Sequence, residues 1–289
     1  MAISNFSAVS AALGPSLRRT DQTRYTFIRN EPSAARCEVD GTIGTGVDTA
    51  VQVVFWGGEV FHLVPEQTND LLATAIYAMP KTVGAGVSNG LLLPVDAADN
   101  DGVFFGLPWS DGASLAQGTL LTAGKGLYTA RTDGFFIRVK LKVADVSETD
   151  ELAVFVRKVQ ALHLTAIASS GTDGSTDIAY LNVDNGDVKI GSHINTATTS
   201  VVDTTQNVAD AGTVTLEIRV SESGFVKFLV NGAAPTVDVS DFRFDSGDAL
   251  HCGISFISDA AGSAAPLILE WEQGLLTERG LDGINDLVN

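Results

Sequence analysis

The chain has 289 residues, 45% of them hydrophobic and only 18% charged, with a formal net charge of −17 at pH 7. Its length suits one large domain, or one domain with an appendage, and is enough to bury roughly three quarters of the unfolded surface. So acidic a chain repels nucleic acid and anionic membrane, which argues against both as partners of its main body.

The charge is unevenly spread. Residues 1–36 carry five arginines, at 18, 19, 24, 29 and 36, against Asp21 and Glu31, whereas residues 91–289 hold 12 basic and 27 acidic residues. Cys37 and Cys252 are far apart and make no disulfide framework, so both are expected reduced. No stretch has the pattern of a signal peptide or of an 18-residue apolar span, so a soluble protein made in a cytoplasm is expected.

In chain order, Ile3, Phe6, Val9 and Leu13 fall at helical spacing before Gly14-Pro15. Thr23 to Arg29 then alternates like a strand, and residues 1–36 read as an arm. So short a helix is marginal alone. It needs either its own fold or a neighbouring subunit to pack on. Residues 37–95 read as a small mixed lead-in. Ala50 to Trp56 is a buried strand, Glu59 to Val64 can return against it, and Asn69 to Met79 is the best helix in the chain.

From residue 96 to 275 the pattern becomes regular. Phe135, Ile137, Val139, Leu141 and Val143 alternate along one strand, and Leu152 to Val159 returns. Residues 178–183 and 188–190 form a hairpin around Asp184-Asn185-Gly186-Asp187. Ser192 to Asp210 reads as a long polar loop. Val214, Leu216, Ile218 and Val220 then alternate with Thr215, Glu217, Arg219 and Ser221, giving one buried and one wet face. Ser221 to Gly224 turns the chain, and Phe225 to Val230 returns with Phe228 and Val230 inward, ending at the turn Asn231-Gly232. Cys252 to Ile257 and Pro266 to Trp271 are further strands, and residues 276–289 are a tail. With many short strands and no βαβ alternation, the fold class expected is all-β: an antiparallel two-sheet jelly-roll sandwich with an N-terminal arm and a lead-in region.

The order of segments resembles a known family. FFIRVKLKVADVSETDELAVFV, then AYLNVDNG, then TLEIRV with GFVKFLVNG, then LILEWE, is similar to the concanavalin A-like (laminin-G-like) jelly roll, in the version found in tailed-phage virion proteins. The likeness covers about residues 100–273. It implies a non-enzymatic structural virion protein, a capsid decoration (cement) or head-fibre-like protein. Its implied partner is the major capsid protein or another virion protein, and it would itself form a homo-oligomer. The arm would then anchor it through Ile3, Phe6, Val9 and Leu13, with Arg18, Arg19, Arg24 and Arg29 adding register. The alternative is a carbohydrate-binding module of a tail spike or fibre, with surface glycans as ligand.

No catalytic constellation stands out. A glycosidase needs two carboxylates flanking the scissile bond, and the nearest approach is Glu270 and Glu272 beside Trp271 on one strand face. These read as a solvated face with Trp271 in the core. The acidic clusters Asp184/Asp187 and Asp96/Asp99/Asp101 have oxygen ligands suited to calcium, but match ordinary turn chemistry as well. His62, His163, His193 and His251 are not at metal-ligand spacing. Of Trp56, Trp109 and Trp271, Trp109 is the best placed to offer a sugar platform. No metal and no cofactor is expected.

Overall fold

The computed structural model describes residues 26–29, 36–40, 51–56, 59–65, 81–83, 90–92, 102–106, 128–132, 134–158, 177–194, 200–237, 242–258 and 266–276. The helices expected over residues 3–13 and 69–79 lie outside these, as do Trp109 and His163. In chain order the strands are β1 (Thr26–Arg29), β2 (Arg36–Asp40), β3 (Val51–Trp56), β4 (Glu59–Pro65), β5 (Lys81–Val83) and β6 (Gly90–Leu92). Next come β7 (Gly102–Gly106), β8 (Tyr128–Thr129), β9 (Phe135–Lys142), β10 (Thr149–Lys158), β11 (Asp177–Asp184) and β12 (Asp187–Ile194). The last are β13 (Ser200–Asn207), β14 (Thr213–Val220), β15 (Val226–Val230), β16 (Ala249–Ser258) and β17 (Leu267–Leu275).

They form two antiparallel sheets. The smaller has seven strands in the order β15-β14-β9-β17-β6-β5, with β1 also on β17. The larger has ten, in the order β13-β12-β11-β10-β16-β7-β4-β3-β2, with β8 also on β16. This is the two-sheet jelly-roll sandwich expected from the alternation. β1 lies in the stretch read as an arm, and β2 to β6 lie in the lead-in; all are hydrogen-bonded into the same two sheets.

Period-two alternation makes each sheet present one apolar face to the other. Ile137, Val139 and Leu141 of β9 and Val214, Leu216 and Ile218 of β14 meet Leu152, Val154 and Val156 of β10 and Leu250, Cys252 and Ile254 of β16 in one buried cluster. Aromatic rings tie the layers. Phe105 meets Trp271 edge-on at 5.8 Å, and Tyr128 stacks on Phe135 at 4.0 Å. Cys252 is a core thiol, and burial pushes its pKa well up.

The β14–β15 hairpin has the expected form, with Gly224 at φ 89°, Asn231 at 52° and Gly232 at 84° closing its turns. Its outer face differs from expectation. Glu217 and Leu229 are buried there, so that face is only partly wet. The stretch read as a loop from residue 192 also differs: β12 continues to Ile194 and β13 follows as an edge strand. Edge strands bury one side at most, so their composition resembles that of a loop.

On the larger sheet, strand pairing places Gly191, Tyr180, Phe155 and Gly253 side by side. A Cβ at Gly191 would lie 1.9 Å from the Tyr180 ring, and one at Gly253 would lie 2.9 Å from the Phe155 ring. Both rings therefore lie flat across a neighbouring strand that has no side chain. Gly191→Ala should cost about 1–3 kcal/mol, as overpacking does. Gly232→Ala, with nothing within 4 Å, carries only positive-φ strain of about 1 kcal/mol. Urea midpoints of the two variants would check that order.

Candidate functional site

Three polar constellations are built by these sheets. The first lies on the face of the larger sheet turned away from the core. Glu151, Ala153, Phe155 and Arg157 alternate with the core residues Leu152, Val154 and Val156, so β10 carries chemistry on one side and packing on the other. Register aligns Arg157 with Ile178 and His193 on one side and His251 on the other. All of these side chains are buried.

Burial obliges the polar groups to pair. Arg157 Nε donates to His251 Nε2 at 2.7 Å, so His251 is the neutral tautomer protonated at Nδ1. The guanidinium lies 5.4 Å from the Phe155 ring centre, and His251 meets that ring edge-on. Desolvation brings Arg157 down to about 9, which leaves it cationic at neutral pH. Burial and then the Arg157 charge hold His251 well below its ordinary 6.5. Ser255 Oγ donates to Glu151. The Tyr180 hydroxyl, pushed up to about 12 by burial and by the Glu151 carboxylate, bonds to no described residue.

The second constellation is on the outer face of the smaller sheet and contains the two glutamates singled out in the sequence. Trp271 is in the core and Glu270 and Glu272 share the opposite face, as expected. They are not a solvated pair, however. Glu272 is buried and accepts from Arg138 Nη1 at 3.2 Å, while Glu270 lies 3.5 Å from Lys140 Nζ. Glu217 lies on the other side of Arg138 at 3.9 Å and accepts from Arg219 Nε at 2.6 Å. Carboxylates and cations thus alternate across β14, β9 and β17.

The third sits at the rim, where β10, β11 and the turn before β16 meet. Carboxylate oxygens of Asp177, Asp245 and Asp248 lie within 4.8 Å of one another. Lys158 Nζ is 2.7 Å from Asp248 and 3.7 Å from Asp177, and the hydrogen bond to Asp248 is the main cause that raises its pKa. Cations of the chain itself already stand against this cluster, Lys158 beside Asp177 and Asp248 and Arg131 3.9 Å from Asp245.

The remaining sequence candidates fall as follows. Ile3, Phe6, Val9, Leu13, Arg18, Arg19, Arg24 and Trp109 lie outside the described residues, as does Asp96/Asp99/Asp101. Arg29 is on β1, paired in register with Glu270. Asp184 and Asp187 close the β11–β12 turn with Asn185 and Gly186 at positive φ, and Asp184 is ion-paired to Lys189. That is turn chemistry. Glu151, Arg157 and Tyr180 were missed because each reads as one polar or aromatic position within a strand. The signal was their alternation with valines, which marks one shared face.

No protein-family profile matches the chain, and no curated protein does. Among solved structures it is similar to a conserved carbohydrate esterase of the Shiga toxin-encoding bacteriophage phi24B, at 15% identity and TM-score 0.42 over 69% of this chain and 88% of that one. It is also similar to a protein of unknown function from Shewanella oneidensis, at 11% identity and TM-score 0.43 over 92% and 94%. The carbohydrate recognition domain of Emp47p is similar at 14% identity and TM-score 0.43 over 69% and 88%. All three scores are below 0.5, and the sandwich assignment rests on the strand topology itself.

Two outcomes follow. The unfolded chain protonates His251 near pH 6.5 and the folded chain does not, so this group's contribution is present above that pH and lost as pH falls through it. Between pH 6.5 and 5.5, wild type should lose stability faster than His251→Gln, by up to about 1.4 kcal/mol per pH unit. Chemical denaturation at stepped pH reads this. Arg138→Ala removes the ion pair of buried Glu272, while Glu217 keeps Arg219, and should cost about 2–3 kcal/mol. That is below the usual range for a buried pair, because the guanidinium is 31% exposed. Thermal melts would show it.

Proposed function

We propose that this chain is a non-enzymatic structural protein of a tailed-phage virion, a capsid decoration or head-fibre-like protein that holds an acidic sandwich towards solvent. One observation carries the non-enzymatic reading: among the described residues, the carboxylates on the two outer sheet faces are tied to partners within the chain. Glu151 is tied to Ser255 and Arg157 to His251, while Glu270 and Glu272 are tied to Lys140 and Arg138. Acid catalysis of glycoside cleavage needs a protonated carboxyl and room beside it for a sugar ring. Glu151 and Glu272 are buried, which leaves no such room beside them.

The virion setting is supported by the likeness of the strand order to virion jelly rolls and by the contrast between a basic N-terminal stretch and an acidic body. With β1 paired to β17, the anchoring stretch in this reading is the part ahead of Thr26, carrying Ile3, Phe6, Val9 and Leu13. Each apolar side chain seated in a capsid partner contributes up to roughly 1.5–3 kcal/mol. A glycan-binding role is the second reading. Its candidate platform, Trp109, lies outside the described residues.

Electron microscopy of particles with and without the protein, together with co-sedimentation, tests the reading. Full-length protein should bind capsids that lack it, and a form without residues 1–25 should not, with its melting temperature nearly unchanged. Polysaccharide incubation should give no turnover, and turnover abolished by Glu270→Gln would overturn the non-enzymatic reading. Binding on a glycan array that is lost in Trp109→Ala, without capsid binding, would favour the second reading.

A further inference from the structure

We propose that Asn231-Gly232, the turn that ends β15, is a covalent modification site at which the chain converts its own asparagine to aspartate and isoaspartate. The inference stands apart from the virion reading. Asn231 at φ 52° and Gly232 at φ 84° make the two-residue turn that Asn-Gly favours. Val230 N donates to Ala233 O at 2.9 Å and Ala233 N to Val230 O at 3.1 Å, which closes it. Residues 231–234 are all exposed, and a Cβ built on Gly232 would meet nothing within 4 Å.

The asparagine is held where the glycine is not. Asn231 N donates to Thr215 O at 2.8 Å, and Asn231 Oδ1 accepts from Thr215 N at 3.0 Å, so β14 grips both its main chain and its carboxamide. The backbone N–H groups bonded in this turn are those of Val230, Asn231 and Ala233, and Gly232 N is not among them. Rotation about the Asn231 Cα–C bond swings Gly232 N towards Asn231 Cγ at the cost of the Val230–Ala233 pair. Local opening of that kind comes most easily at exposed tips. The Thr215 N–H on Oδ1 draws electron density from Cγ and stands where negative charge develops during attack.

Water is the co-reactant. Gly232 N gives its proton to hydroxide and attacks Asn231 Cγ; the Cγ–Nδ2 bond breaks, and Nδ2 leaves as ammonia with a proton from water. A second water then opens the succinimide. Cleavage at Cγ gives aspartate, and cleavage at the main-chain carbonyl carbon gives isoaspartate. The isoaspartyl main chain is longer by a methylene, so a two-residue turn no longer closes the Val230–Ala233 pair. Each event also adds a negative charge.

Asn185-Gly186 has the same dipeptide and the same turn, at φ 48° and 88°, in opposite surroundings. Gly186 is buried, its O accepts from Val208 N at 2.7 Å, and a Cβ there would lie 2.8 Å from Val208 O. Asn185 Nδ2 donates to Asp184 Oδ1 at 3.1 Å, and Asp184 and Asp187 flank the turn, so negative charge on this carboxamide is opposed.

Incubation of the full-length chain in mildly alkaline buffer, followed by peptide mapping with mass spectrometry, tests this. The map separates Asn231 and Asn185 from Asn89 of the third Asn-Gly pair, which lies outside the described residues. In the folded chain Asn231 should convert at least about tenfold faster than Asn185, with isoaspartate among its products. In urea the two should convert at similar rates, since only the fold separates them. Gly232→Ala should slow Asn231 and leave Asn185 unchanged, because a Cβ on the attacking residue obstructs ring closure. Asn231 unconverted, equal rates in the folded chain, or a preference for Asn231 that persists in urea would each overturn the proposal.

Discussion

The apolar layer between the two sheets is the constraint on which everything else depends. Phe105 of the larger sheet meets Trp271 of the smaller, and Tyr128 stacks on Phe135. These cross-layer contacts fix which side of each strand faces inward. Because the side-chain period is two, a slip of one residue in any strand would exchange its inner and outer sets. The polar rows outside the core are therefore placed by the core.

That coupling explains why the outer rows are so heavily paired. β10 presents Leu152, Val154 and Val156 inward, so Glu151 and Arg157 must face the other way. This outer face is itself covered, and a charge without water costs more than any packing nearby returns. Glu151 meets Ser255, Arg157 meets His251, and Arg138 stands between Glu217 and Glu272. The rim cluster of three aspartates, with Lys158 against Asp177 and Asp248, follows the same rule. Each of these sets sits across two or more strands, so the paired charges also specify strand order.

Glycine contributes by omission. At Gly191 and Gly253 the missing side chain leaves room for the Tyr180 and Phe155 rings to lie against the sheet. The flat rings in turn form the floor against which Arg157 and His251 pack.

Alternation by itself determined the all-β sandwich, the β14–β15 hairpin with its Gly224 and Asn231-Gly232 turns, and the core positions of β9. These are local: a strand with one dry face writes its period into its own residues, and a turn needing positive φ writes in Gly or Asn. It also placed Trp271 inward with Glu270 and Glu272 together on the far side. What it could not determine is what covers that far side, because the cover is not a neighbour in sequence. Glu217 alternates as a wet residue would, yet it is buried beside Arg138 of another strand. β13 reads as a loop because an edge strand has half its pairing and little of its surface buried. Arg157 and His251 are 94 residues apart and become one hydrogen bond only when β16 pairs with β10. Period is a property of the chain, while burial and ion pairing belong to pairs of strands, and only the tertiary structure chooses those pairs.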